Sequence, residues 1–273
     1  MRDLGIDHLT ALSLEPGAFA HAAADAGFAS VSVRTIHIVG GEPEWAVPLD
    51  ATLVNRVRDA GVAVHAIEAV AITEALALGM DHLRPVLEQG AELGAHLLYS
   101  FSDDTDAIRC ADTLAALAAL ASEHGLRLVI EPMPYRAVAT LPQAAGIIAE
   151  RAGAGLIVDT LHASRGGTQP ADLARLDPEM LAVIQLCDAP SEAPPSPSPS
   201  GLHPLLHEAR FDRRLPGAGE LPLADFVAEM PSGALVTVEA PISTASGDAR
   251  TLIADVLRTT RAALGWGDEV SAR

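Results

Sequence analysis

Eight short apolar runs alternate with helical stretches or long excursions, and this alternation limits the folds open to the chain. The runs are Leu4–Leu12, Ser30–Arg34, Val62–Val70, His96–Phe101, Leu126–Ile130, Gly155–Asp159, Ala182–Asp188 and Ala234–Glu239. Runs of this length, nearly unbroken in Leu, Val and Ile, are what a strand buried on both faces requires, and such strands belong to parallel sheets. The helical stretches run over Glu15–Ala26, Asp50–Ala60, Asp81–Leu93, Thr105–His124, Leu141–Arg151, Ala171–Leu176, Leu223–Met230 and Asp248–Leu264. Gly27, Gly61, Gly94 and Gly125 stand where helices should stop, and Asp50 and the Asp103-Asp104-Thr105 run where helices should be capped. Strict β/α alternation implies a parallel sheet, and eight units imply closure into a (β/α)8 TIM barrel. No Gly-x-Gly-x-x-Gly lies at a strand-to-helix turn, so a dinucleotide-binding fold has no support.

The length of 273 residues fits one such barrel, which typically needs about 250. The barrel is expected over residues 1–266, with a frayed tail over 267–273. Ala189 to Ser200 is dominated by Pro, Ser and Ala, and a long Pro/Ser-rich loop is expected over 189–215, after the seventh strand.

Charge and composition exclude several functions. The net charge is −18, with 36 acidic and 18 basic residues, which argues against nucleic-acid or membrane-surface binding while leaving room for a local basic pocket. Every basic residue is arginine. A chain without lysine cannot form a Schiff base, attach pyridoxal phosphate or build a P-loop. Cys110 and Cys187 have no metal-binding spacing and imply no disulfide framework. The N-terminal residues lack a signal-peptide apolar region and no run approaches the length of a membrane span, so a soluble, cytoplasmic protein is expected.

Four of the last runs end on metal-capable side chains: Glu131, Asp159, Gln185 and Glu239. On consecutive strands of a barrel these positions share the C-terminal face, where barrel active sites lie. Three carboxylates and an amide oxygen form a hard oxygen set suited to a divalent ion such as Mg2+ or Mn2+, and without a cation the carboxylates repel one another. His162, three residues after Asp159, is placed to orient substrate or move a proton. Arg210 and Arg213 precede Pro216-Gly217-Ala218-Gly219-Glu220 in the seventh loop, where a guanidinium can clamp an anion or a hydroxyl. His8, Arg34, His65 and Glu68 fall near the ends of early strands and are candidates for the opposite rim. His21, His37, His82 and His124 read as surface.

Glu131-Pro132, Asp159-x-x-His162, Gln185-x-x-Asp188, Pro216-Gly217-x-Gly219-Glu220 and Glu239 together resemble the xylose-isomerase-like TIM-barrel superfamily. It includes sugar isomerases and epimerases, inosose dehydratases, dehydroshikimate dehydratases and the endonuclease IV group. The resemblance implies one divalent metal ion (Mn2+, Mg2+ or Co2+) held by Glu131, Asp159, Gln185 and Glu239. It implies substrate contacts from His162 and Arg213, with Arg210, His65 and Arg34 as further candidates. In ketose epimerase relatives the glutamates matching Glu131 and Glu239 also serve as the catalytic acid/base pair. Gln185 departs from the pattern, because most sugar-acting relatives carry histidine there; with the segment Ala209–Leu223 it looks closer to the dehydroshikimate dehydratase branch. The trinuclear zinc site of the endonuclease branch needs more histidines than this chain supplies. The expected function is a metal-dependent isomerase or epimerase of a small keto-sugar or polyol, acting through an enediolate. The alternatives are a dehydratase of a cyclic keto-polyol such as 3-dehydroshikimate or inosose, and a sugar-binding barrel without catalysis. Related barrels often form homo-oligomers.

Overall fold

The computed structural model of the chain describes residues 3–36, 48–149, 153–242 and 248–267. His37, the Gly40-Gly41 turn, Arg151 and residues 268–273 of the expected tail lie outside these residues. Eight strands close into one barrel: β1 Leu4–Ile6, β2 Ser30–Arg34, β3 Ala63–Ile72, β4 Leu97–Ser102, β5 Arg127–Ile130, β6 Gly155–Asp159, β7 Leu181–Leu186 and β8 Leu235–Val238. Each pairs in parallel with the next, and β8 pairs with β1. The expected (β/α)8 barrel is the fold.

The helices start where short polar side chains satisfy their free N–H groups. Asp50 accepts from Leu53 N, and Asp248 from Thr251 N. Ahead of the long helix Ala107–Glu123 the cap is Asp106, which accepts from Ile108 N and Arg109 N; the Asp103-Asp104-Thr105 run lies before it. Asp104 is occupied by Arg109, which donates twice to its carboxylate at 2.7 Å. Three short helices lie in stretches where none was expected: Glu74–Ala77, Thr160–Arg165 and Pro204–Phe211. The last occupies much of the second half of the expected 189–215 loop, whereas Ala189–Ser200 forms no helix or strand. The expected helix over Ala171–Leu176 is a 3-10 turn, Pro170–Arg175.

The first strand is shorter than expected. It ends at Ile6, and His8–Ala11 forms a 3-10 turn, because His8 N leaves the ladder and donates to Ser32 Oγ and Glu68 Oε1. Most of the apolar core lies between strands and helices. A smaller cluster fills the barrel interior, with Ala66, Leu97, Tyr99, Val129, Ile157 and Val183 among its members. Polar groups from β1, β2, β3, β7 and β8 share that interior: Asp7, just past β1, with Ser30, Ser32, His65, Gln185 and Thr237, all buried. Gly5 makes room for them. A Cβ there would lie 2.9 Å from Ser30 Oγ and 3.0 Å from both His65 Cε1 and Thr237 Cγ2.

Candidate metal centre

The register of β5 to β8 brings the four strand-end residues to the same end of the barrel. Asp159 pairs with Gln185, and Gln185 with Thr237, two residues before Glu239. Glu131 and Glu239 lie one residue beyond β5 and β8 but continue the ladder, donating to Ser100 O at 2.8 Å and Leu186 O at 3.0 Å. All four are buried, from 8% exposed at Glu131 to 0% at Gln185.

The Asp159-Thr160-Leu161-His162 segment explains how a histidine joins them. Asp159 ends β6 and also caps the helix Thr160–Arg165, its Oδ1 accepting from His162 N at 2.9 Å. That cap turns the chain back so that the imidazole returns to the strand ends. His162 Nε2 lies 3.6 Å from Glu131 Oε1, and one ligand atom each from Glu131, Asp159 and His162 falls within 4.8 Å of the others. Burial is the main reason the His162 pKa falls to about 4, so the ring is neutral at ordinary pH and its lone pair can be donated.

Arg213 lies among these groups, only 2% exposed. Its Nη1 donates to Asp159 Oδ2 at 2.5 Å and to Glu239 O at 2.9 Å, and its Nη2 to Glu239 Oε2 at 2.9 Å. The guanidinium therefore ties the seventh loop to β6 and β8. Burial opposes ionisation of Asp159, but Arg213 and His162 outweigh it and hold its pKa below the ordinary aspartate range. One guanidinium cannot balance three carboxylates. Burial pushes Glu239 up to about 8, with Glu68, Asp7 and Asp159 adding to the shift and Arg213 resisting it. Burial, then Glu239 and Asp159, push Glu131 well above the usual carboxylate range.

Two oxygens lack hydrogen-bond partners in this buried setting, Glu131 Oε1 and Gln185 Oε1. A buried orphan acceptor costs about 1–3 kcal/mol. Crowded carboxyl groups, orphan oxygens and a neutral imidazole make a donor set that fits a divalent cation, with Glu131, Asp159 and His162 close enough together to hold it and Gln185 and Glu239 beside them. The metal-stripped protein should therefore gain stability on adding Mn2+, by about 2.7 kcal/mol at a hundredfold excess over Kd, read as a rise in Tm of several degrees. Because Glu131 and Glu239 hold protons that a cation must displace, affinity should rise with pH between 6 and 8. A Tm unmoved by Mn2+, Mg2+, Co2+ or Zn2+ would sink both expectations.

The cleft above this set is lined by Arg34, Glu68, Tyr99, Phe101, Tyr135, Arg136, His162, Arg210, Arg213, Glu131 and Glu239, among others. Tyr135 OH lies 3.5 Å from His162 Nε2, and Arg136 stacks over Phe101 at 4.6 Å while its Nη1 holds Asp103 at 2.8 and 3.0 Å. Tyr135 and Arg136 are missing from the sequence reading, since they sit in an irregular stretch after β5 with no pattern to mark them. Leu206, Ala209 and Arg210 of the Pro204–Phe211 helix also line the cleft, which holds only about 50 Å3. A larger cavity of about 730 Å3, between loop 190–195 and the Ala249–Ala263 helix, reaches Arg213 but not Glu131, Asp159, His162, Gln185 or Glu239.

Two early-strand candidates do not line the cleft. Both ring nitrogens of His65 are engaged, Nε2 with Asp7 Oδ1 at 3.0 Å and Nδ1 with Ser30 Oγ at 2.9 Å, which corrects its expected substrate contact. His8 faces Leu14 O through Nε2 and accepts from Arg34 N through Nδ1, stacked on Phe19. Arg34 does line the cleft, 3.5 Å from Glu68 Oε2.

The sequence profile of the xylose isomerase-like TIM barrel family matches residues 20–263. The chain belongs to this family. Among curated proteins, this xylose isomerase-like barrel is 34% identical over 121 residues to a 3-dehydroshikimate dehydratase of Pseudomonas aeruginosa. That match takes in 43% of this chain and 18% of the dehydratase. A fusion of a xylose isomerase-like TIM barrel with 4-hydroxyphenylpyruvate dioxygenase superposes with TM-score 0.77 at 21% identity, covering 97% of this chain and 44% of the fusion. The chain thus spans less than half the length of these two relatives. An IolI protein with a bound zinc atom superposes with TM-score 0.75 at 17% identity, covering 98% of this chain and 100% of that one. A D-psicose 3-epimerase crystallised with D-fructose gives 0.64 at 16%, covering 97% of each.

The segment Pro216-Gly217-Ala218-Gly219-Glu220 has a structural task in this barrel. Asp188 Oδ2 accepts from Gly217 N and Gly219 N, each at 2.9 Å, and Oδ1 from Leu221 N at 3.0 Å and Ala189 N at 2.9 Å. A Cβ on Gly219 would lie 2.3 Å from Asp188 Oδ1 and 2.5 Å from Ala189 O, so only glycine fits this approach. Asp188 and Arg214 also form an antiparallel bridge, which sets the position of the neighbouring Arg213.

Proposed function

We propose that the chain is a divalent-metal-dependent enzyme that removes a proton next to a carbonyl, and that its reaction is dehydration of a cyclic keto-polyol carrying an anionic group. The observation that carries the second part is the lining of the cleft. Four arginines, Arg34, Arg136, Arg210 and Arg213, face it in a chain that is strongly acidic as a whole. Carboxylates line it too, and Arg34, Arg136 and Arg213 are each paired with a carboxylate, but several guanidinium forks at one cleft suit a planar carboxylate on the substrate better than the hydroxyls of a neutral sugar. Sequence similarity to a dehydratase points the same way. The epimerase reading rests on structures below 25% identity, and the same proton abstraction serves it.

The cation, when bound, supplies charge that polarises the substrate carbonyl. Glu131 and Glu239, at the ends of β5 and β8, are proposed as the acid/base pair on either side of the substrate. One takes the proton from the carbon beside the carbonyl, leaving an enolate. Collapse of that enolate breaks the C–O bond of the β-hydroxyl, and the other carboxyl donates the proton with which it departs as water. His162, neutral and buried, is proposed to hold the metal side of the site, and Arg213 to keep Asp159 and Glu239 in place while meeting the substrate. Ligand pockets ordinarily offer about 300–1,000 Å3, so entry of a six-carbon ring requires Leu206, Ala209 and Arg210 to move away from the cleft.

The test is incubation with 3-dehydroshikimate, inososes and keto-hexoses in the presence of Mn2+, Mg2+ or Co2+. An ultraviolet-absorbing aromatic product from dehydroshikimate is the expected result. Turnover of keto-hexoses alone would replace the dehydratase reading with the epimerase one.

A further inference from the structure

The polar network beneath the proposed metal residues holds a buried carboxylate without an assigned role, and the geometry points to Asp7 as the residue that positions Gln185 to offer its oxygen to the cation. This rests on the metal-dependent reading above. Asp7 is 0% exposed and follows β1 at the height of the strand ends. Its Oδ1 faces His65 Nε2 at 3.0 Å and accepts from Tyr99 OH at 3.4 Å; its Oδ2 accepts from Gln185 Nε2 at 3.0 Å and Thr237 Oγ1 at 2.6 Å.

The two ends of a carboxamide have nearly the same shape, so packing alone does not decide which end faces the site. Chemistry decides it here. Asp7 already accepts from Tyr99 OH and Thr237 Oγ1, and only the NH2 end of Gln185 can face such an acceptor. The same nitrogen lies 3.5 Å from Glu239 Oε1. The reversed amide would set Oε1 against the Asp7 carboxylate. In the observed orientation Oε1 is left buried and without a protein partner.

The consequence is specific to this chain. Glutamine is a neutral, weak ligand whose donor atom is interchangeable with a non-ligand unless something holds the amide one way round. Asp7 holds it, and does so through a network that Gly5 allows to close. Groups that orient metal ligands typically contribute about 10–100-fold to affinity.

Isothermal titration of the stripped protein with Mn2+ tests this. Wild-type protein that binds no metal would refute the metal reading itself, and this positioning role with it. If wild type binds, Asp7→Asn should weaken Mn2+ at least tenfold with the circular dichroism unchanged, because the introduced amide can donate and lets Gln185 reverse. The double variant D7N/Q185E should recover affinity to within threefold of wild type, since a carboxylate accepts from the introduced amide and keeps one oxygen for the metal. A generic packing defect would not be rescued in this way. Equal affinity in wild type and D7N, or a double variant no better than D7N, would overturn the inference. Should D7N fail to fold, the wild-type protein still provides a test. The Gln185 side-chain NH2 resonances, identified by their loss in Gln185→Glu, should stay protected from D2O exchange both stripped and Mg2+-loaded. Exchange as fast as that of an exposed amide would overturn the proposal.

Discussion

Glu239→Gln should lower kcat by about 10³-fold or more while leaving the barrel folded. General acid/base catalysis by a placed carboxyl is worth about 10²–10⁴-fold, and the substitution also removes an ionisable group from the proposed metal site. The replacement is nearly isosteric, and glutamine retains an oxygen to accept from Arg213 Nη2, which now reaches Glu239 Oε2 at 2.9 Å. Loss of stability is therefore not the expected cause of inactivity. The apolar core that holds β8, including Val236 and Val238, is untouched. The measurement is kcat and KM on the substrate found in the screen, at saturating metal, beside a circular-dichroism melt. A variant within threefold of wild type in kcat would remove Glu239 from the acid/base pair and leave Glu131 and His162 to share the work.

The largest expected loss of stability comes from Asp188→Ala. Its carboxylate takes four backbone N–H groups, from Ala189, Gly217, Gly219 and Leu221, and these hold the seventh loop closed on the end of β7. Hydrogen bonds to a charged group contribute about 1.5–3 kcal/mol each, and buried donors left unpaired cost about 1–3 kcal/mol. Water can enter once the loop opens, so the losses do not add fully, and a net destabilisation of about 3–5 kcal/mol follows. Urea unfolding monitored by far-ultraviolet circular dichroism reads it directly. Activity should fall as well, because Arg213 adjoins the Asp188–Arg214 bridge and would lose its place between Asp159 and Glu239. A loss below about 1 kcal/mol would mean that the cradle contributes little to holding the loop.

These two residues show where the sequence was legible. Glu239 stands out in the chain alone, a carboxylate closing an apolar run, because a parallel strand is written in a few consecutive residues. Asp188 and the Pro216–Glu220 motif were both visible as letters, but their contact spans about thirty residues and no local rule joins them. The His162 side chain is an intermediate case. Its spacing from Asp159 was readable, yet its return to the strand ends depends on Asp159 acting as a helix cap, in a helix that the sequence did not announce. Tyr135 and Arg136 were invisible, since nothing periodic surrounds them.

By itself the sequence determined the barrel and the end of it at which Glu131, Asp159, Gln185 and Glu239 stand, because strand length and the alternation of strand and helix are local properties repeated along the chain. Only the tertiary structure decided which groups face one another. It turned His65 away from the cleft and onto Asp7 and Ser30, set Arg213 across Asp159 and Glu239, and brought Asp7 from the first strand to Gln185 on the seventh. The physical reason is barrel closure. Joining β8 to β1 places residues more than 170 positions apart within hydrogen-bonding distance, and the charge and donor balance that results is a property of the closed ring rather than of any segment.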